Sequence, residues 1–254
     1  MDQPDLAYLD PGDGRRIAYR FRPAAGDLTR PMLIFLPGYA SDMEGAKALA
    51  VDEFAAARGL AMLRFDYSGT GSSGGDFAEG TLKRWLEEAL ALIDALADEH
   101  PLVLVGSSMG GWLMLHIALA RSARIIGLVG IAAAPDFTDW GFTIDDKMAL
   151  LQSGLIERAN PYGPEPSVTY SAFWQSGEAL RVLGGPIAID VPVRLVHGEA
   201  DRDVPIGVAL KLVERLRSAD VQLHLIKGGG HRLSEPREIA TILRAVETLL
   251  EPGA

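Results

Sequence analysis

The sequence predicts an α/β domain, a mainly parallel sheet covered by helices on both faces. Short β-rich apolar runs alternate along the chain with longer stretches of 3.6-residue period, the pattern of strand–helix–strand units. With 254 residues, 48% of them apolar, the chain can bury one large core. The apolar run Leu102–His116 breaks in its middle into Gly106, Ser107, Ser108, Met109, Gly110 and Gly111, residues that weaken strand and helix alike.

The leading runs LAYLD and RRIAYRF flank the turn signal Pro11-Gly12-Asp13-Gly14, which predicts an antiparallel hairpin at the start of the sheet. Strands buried on both faces are expected at Pro31–Leu36, Leu60–Tyr67, Leu102–Gly106 and Ile125–Ala132, and Val191–Gly198 and Val221–Gly228 continue the series. Helical periodicity runs over Thr81–Glu99, Gly111–Ser122, Val208–Ser218 and Glu238–Leu250. From Asp136 to about Asp190 the alternation stops, and seven aromatics fall within the 39 residues 136–174, against 11 in the other 215. These seven are Phe137, Trp140, Phe142, Tyr162, Tyr170, Phe173 and Trp174. The expected organisation is therefore a core formed by 1–135 and 191–254 with a cap inserted at 136–190.

A net charge of −10 without a basic stripe argues against nucleic acid as a partner. The absence of cysteine removes a disulfide framework, a thiolate metal site and a cysteine nucleophile. No membrane span is expected, since no apolar run reaches about 18 residues. No secretory signal is visible at the start, and the default location is cytoplasmic. Neither an H-E-x-x-H helix nor a clustered ligand set points to a metal, and no cofactor is implied.

Gly106-Ser107-Ser108-Met109-Gly110 fits G-x-S-x-G with Ser108 at its centre, where a predicted strand meets a predicted helix. In such an elbow the serine sits in a strained turn, and the flanking Gly106 and Gly110 let strand and helix pass closely. A serine hydroxyl needs a general base. His116, His224, His100 and His197 lie in a helix, in a strand, before a proline and at a strand end, which suit structural roles. His231 follows a strand in the loop Gly228-Gly229-Gly230-His231 and is the candidate base. The acid is Glu199, Asp201 or Asp203, all leaving the strand that ends at His197-Gly198.

These residues resemble the α/β-hydrolase superfamily over essentially the whole chain. Gly106–Gly110 matches its nucleophile elbow, His197-Gly198-x-x-Asp201-x-x-Val204-Pro205 its acid motif, and His231 its histidine position. The resemblance selects Asp201 over Asp203 and implies the α/β-hydrolase fold and a Ser108–His231–Asp201 triad. Phe65-Asp66-Tyr67-Ser68-Gly69, Pro37-Gly38-Tyr39 and the string from Gly106 to His116 are similar to a mitochondrial subfamily of palmitoyl-protein thioesterases that also cleave acyl glucuronides. That likeness implies a serine esterase or thioesterase for small-molecule esters of apolar acyl groups, or for an acylated protein, working through an acyl-enzyme. The chain departs from many members in having Pro37-Gly38 where they have His-Gly. Proline has no N–H, so the first oxyanion donor is expected at Tyr39, with Ala40 in reserve and Met109 as the second. If the aromatics roof the site, Trp140, Phe142, Phe173 and Trp174 are the expected acyl contacts; otherwise they form the cap's own core.

Two other functions compete. Gly69-Thr70-Gly71-Ser72-Ser73-Gly74 fits the dinucleotide fingerprint after a strand, which would make the protein an NAD-dependent oxidoreductase. Gly75, Asp76 and Phe77 intervene before the next helix, however, so no helix N-terminus would meet a pyrophosphate. The second competitor is a ligand-binding, non-catalytic relative of the hydrolases, disfavoured by an intact Ser, Asp and His set.

Overall fold

The computed structural model describes residues 3–25, 29–97, 99–160 and 163–250. Tyr162 therefore lies outside the described residues. Among the described residues, eight strands form one sheet. In chain order they are β1 (Leu6–Leu9), β2 (Ile17–Arg22), β3 (Met32–Leu36), β4 (Ala61–Phe65), β5 (Leu102–Ser107), β6 (Ile125–Ile131), β9 (Val193–Gly198) and β10 (Val221–Ile226). Their spatial order is β1-β2-β4-β3-β5-β6-β9-β10. The predicted hairpin is present: β1 pairs antiparallel with β2, and β2 antiparallel with β4. From β4 to β10 every neighbour is parallel.

Strands β3, β4 and β5 are buried along their whole length. The one charged residue among them, Arg64 of β4, is buried with its guanidinium donating to the Met43 carbonyl (2.9 Å) and Glu44 (2.7 Å). β10 differs from the expected doubly buried strand. It is the last in the sheet, and Leu225 is 52% exposed. An edge strand has a neighbour on one side only, so its alternation of apolar and polar residues is the better guide.

Helices α1 (Ala46–Arg58), α2 (Leu82–Leu96), α3 (Met109–Ala120) and α7 (Ile206–Arg215) connect the strands, and α8 (Pro236–Thr248) follows the last of them. α2 begins where Thr81 accepts a hydrogen bond from the Arg84 N–H (3.1 Å). α1 has no counterpart in the sequence reading. Its buried face is small, with Ala48, Val51 and Ala55 beside Phe54, and alanines blur the contrast that reveals an amphipathic helix.

Between β6 and β9 lie α4 (Phe137–Trp140), α5 (Ile144–Ser153), the antiparallel pair β7 (Leu155–Arg158) and β8 (Ser167–Tyr170), and α6 (Ser171–Ala179). This segment has a small core of its own, in which Phe142, Leu150 and Ile156 are buried with Phe137 and Trp174 against them. Tyr170 packs edge-on against Phe77, 6.4 Å between centroids. Among the described residues, no helix is long and apolar enough to cross a membrane.

Candidate active site

β5 ends at Ser107 and α3 starts at Met109, so the whole change from strand to helix falls on Ser108. Its φ of 53° and ψ of −117° are a conformation that non-glycine residues rarely adopt. The surroundings hold it there. The Ser108 N–H donates to the Ile131 carbonyl (2.9 Å), and its own carbonyl accepts from Gly111 (2.9 Å) and Ala134 (3.0 Å). With every backbone group committed, the strain is over-determined.

The glycines of the elbow are required by packing. A Cβ on Gly106 would lie 2.5 Å from the Gly110 carbonyl oxygen, and one on Gly110 would lie 2.0 Å from that of Leu36. Gly111, which the motif does not include, is needed as well, because its Cβ would come within 2.5 Å of the Ala133 Cβ. Gly110→Ala is therefore expected to destabilise the fold by about 3 kcal/mol or more, with chemical denaturation as the measurement, since the obstruction is backbone that cannot rotate away.

His231 and Asp201 meet Ser108 from the ends of neighbouring strands. β9 and β10 run parallel in register, so the loops that follow them, carrying Asp201 and His231, emerge side by side. Gly198 makes the approach possible, since a Cβ there would lie 2.3 Å from the Gly229 carbonyl oxygen. His231 Nδ1 lies 2.9 Å from Asp201 Oδ2, and Nε2 lies 3.1 Å from Ser108 Oγ. A carboxylate only accepts, so Nδ1 carries the proton and Nε2 is left to accept from the serine hydroxyl.

The Asp201 side chain is 1% exposed. Burial pushes its carboxyl pKa up, but the His231 hydrogen bond and the N–H groups of Val204 and Asp203, both donating to Oδ1 at 2.9 Å, hold it below the ordinary value. Asp203 is exposed and Glu199 accepts from the Gly228 N–H (3.1 Å), so neither takes Asp201's place beside Nδ1. Asp201, Asp203 and His231 offer ligand-type atoms within 4.8 Å of one another and could together hold a cation. Both Asp201 oxygens, however, already accept hydrogen bonds from His231 and the backbone.

Three other histidines bond to backbone carbonyls. His197 Nε2 donates to Val204 (2.9 Å), His116 Nε2 to Leu180 (2.8 Å), and His100 Nδ1 meets the Arg30 carbonyl at 2.8 Å. Burial lowers the pKa of both His116 and His197. His197 thus stays neutral 3.7 Å from Asp201, leaving the carboxylate charge to His231. His224 lies exposed on β10.

Ser108 and His231 open into a cleft of about 760 Å³. Gly38, Tyr39 and Ala40 line it beside the serine, and a Cβ on Gly38 would lie 3.3 Å from the Ser108 Cβ. Met109 is the first residue of α3, so its N–H has no carbonyl within the helix. Of the expected acyl contacts, Trp140 and Phe142 line the cleft, joined by Phe137. Phe173 does not: it is 1% exposed and belongs to the main core. Trp174 is also off the cleft, with its indole N–H donating to the Thr138 carbonyl (3.1 Å) and its ring on the small core of the inserted segment. The cleft lining also includes Lys47, Arg202 and Arg232, which composition alone did not single out. Burial, and then the Arg232 charge, lower the Lys47 pKa to about 8.

The loop with the dinucleotide-like pattern packs on the protein itself. Asp66 accepts from the N–H groups of Met43 and Ser72 (both 2.7 Å), and a Cβ on Gly71 would lie 2.1 Å from Asp66 Oδ2. Gly69 has φ 79°, with the Phe77 backbone 2.4 Å from where its Cβ would be. These glycines serve a tight loop, which leaves a pyrophosphate no place at them.

Comparison with known proteins agrees with this architecture. The model described as "Alpha/beta hydrolase family" matches residues 33–242. The chain is 38% identical over 251 residues to the human palmitoyl-protein thioesterase ABHD10, mitochondrial, covering 97% of this chain and 80% of the relative. A putative hydrolase from Agrobacterium vitis S4 superposes with a TM-score of 0.90 at 42% identity, covering 97% of this chain and 98% of that one. Mouse alpha/beta hydrolase domain-containing protein 10 gives 0.87 at 36% identity, covering 96% and 98%. The human and mouse relatives are named mitochondrial, which overturns the expectation of a cytoplasmic location. A folded core carries no address for its compartment, because targeting information resides in segments outside the packed structure. Fold, matched family and relatives agree: the chain belongs to the alpha/beta hydrolase family and is a serine hydrolase that cleaves ester or thioester bonds.

Proposed function

We propose that Ser108, His231 and Asp201 form the catalytic triad of an enzyme that removes apolar acyl groups from esters or thioesters, with 136–190 acting as its cap. The reading is carried by the Ser108–His231–Asp201 chain of hydrogen bonds, 3.1 and 2.9 Å, opening onto a cleft lined by Phe137, Trp140 and Phe142. His231 takes the Ser108 proton as Oγ attacks the acyl carbon. The carbonyl electrons move to oxygen, where the Tyr39 N–H (or that of Ala40) and the Met109 N–H stabilise them. The oxyanion collapses, the bond to the leaving alkoxide or thiolate breaks, and His231 gives that group the proton. Water, deprotonated by the same histidine, then releases the acid and restores the serine. Asp201 holds the imidazole tautomer and stabilises its charged form throughout.

An aromatic wall suits an acyl chain. Depalmitoylation of an acylated protein is the activity that the name of the human relative suggests. An acyl-glucuronide esterase is the second reading, supported by Lys47, Arg202 and Arg232, which line the same cleft. In a chain of net charge −10, those cations would suit an anionic leaving group.

Hydrolysis of p-nitrophenyl esters of increasing chain length, an acyl-CoA, an S-palmitoyl peptide and an acyl glucuronide tests the reading. Each buried methylene adds about 0.8 kcal/mol, so kcat/KM should climb about three- to fourfold per CH₂ until the cleft is full. Trp140→Ala should flatten that climb more than it slows acetyl-ester turnover. Trp174→Ala, off the cleft, should cost stability and leave the slope intact. A preference for acetyl over all longer esters, unchanged in Trp140→Ala, would remove the apolar-acyl reading.

A further inference from the structure

Tyr39 belongs both to the turn beside Ser108 and to the packing of the segment between β6 and β9. Its ring lies 4.6 Å from Phe173 and 6.0 Å from Phe137 on that segment, and 5.3 Å from Phe77 and 6.0 Å from Trp85 on the body. Its hydroxyl donates to the Val168 carbonyl of β8 at 3.0 Å. Burial raises the phenol pKa, so the proton stays on the oxygen and the direction of this bond is fixed.

The backbone on either side has little regular structure to locate it. β3 ends at Leu36 and α1 begins at Ala46, and Ala40 between them is left-handed at φ 52°. Two side-chain hydroxyls anchor the turn. Tyr67 donates to the Pro37 carbonyl (3.3 Å) from the body, and Tyr39 reaches β8 on the other side. Ser167 and Thr169, which flank Val168 on β8, line the cleft. The strand that holds the Tyr39 hydroxyl is therefore also one that lines the cleft.

We propose that Tyr39 is a positioning residue: its hydroxyl bond to Val168 holds the turn at 37–41 where its N–H groups meet the developing oxyanion, which ties oxyanion stabilisation to the placement of β8. This rests on the catalytic reading above. The physical reason is distance. An oxyanion donor works at about 2.7–3.1 Å from the oxygen, so once one of the two hydroxyl anchors is released a shift of only a few tenths of an ångström takes the donor out of that window.

Tyr39→Phe keeps the ring and removes the bond. It is expected to lower kcat about tenfold for esters of every chain length, with KM within about twofold, since the cleft wall is retained. Inhibition by an alkyl boronic acid, whose tetrahedral serine adduct places an oxygen where the oxyanion forms, should weaken by the same factor. A merely structural role would lower the melting temperature without that parallel. Unchanged kcat, or a fall in kcat with boronate affinity intact, overturns the proposal. Labelling of the unaltered enzyme at Ser108 by a fluorophosphonate keeps the two readings apart: its failure sinks the triad, whereas labelling with an unaffected Tyr39→Phe sinks this inference alone.

Discussion

Ser108→Ala should lower kcat by about 10⁴ or more while leaving the fold and KM nearly unchanged, because it removes the attacking atom and nothing that packs. Ser107→Ala is the matched control. Ser107 is the last residue of β5, buried and one position short of the turn, and its loss should change kcat by no more than a few-fold. A single-turnover assay with a chromogenic ester, together with mapping of a fluorophosphonate adduct, distinguishes the two serines. An adduct on Ser107, or appreciable turnover by Ser108→Ala, would displace Ser108 as nucleophile.

The second large effect is expected at Asp201. An amide in its place offers Nδ1 a donor as readily as an acceptor, so the imidazole can settle in the tautomer that donates toward Ser108. It also removes the charge that stabilises the imidazolium. Asp201→Asn should cost about 10³–10⁴ in kcat. Asp203→Asn should cost less than about fivefold, since Asp203 meets the triad through its backbone N–H, which survives the substitution. Comparable losses in both variants would undo the choice of acid.

Much of this was legible in the chain. Short, mostly apolar runs announce doubly buried strands, even where β4 and β9 bury Arg64, Arg194 and His197, and a run interrupted by glycines around a serine announces a turn with chemistry in it. What was not legible depends on partners distant in sequence. Helix α1 hides behind alanines. Gly111 is dictated by Ala133, a residue of another element. Phe173 and Trp174 look the same in sequence as Trp140 and Phe142, and the way α6 is turned against α2 and α5 decides which rings face the cleft and which face the core. The anchors of Tyr39 join residues 129 positions apart. No local pattern encodes such a bond.

The order in which the three site residues enter the chain has a consequence for how activity is acquired. Ser108 and His231 are 123 residues apart, and the histidine sits after the last strand, just before α8. Parallel pairing must be complete from β5 through β6 and β9 to β10 before the imidazole can reach the serine, and contacts of such sequence separation form late because their loop-closure entropy is met first. During refolding, recovery of ester hydrolysis should therefore follow the return of helical signal and coincide with the last cooperative phase. Hydrolysis then serves as a reporter of the finished sheet: a chain stalled with β10 undocked can keep most of its secondary structure and still be inert.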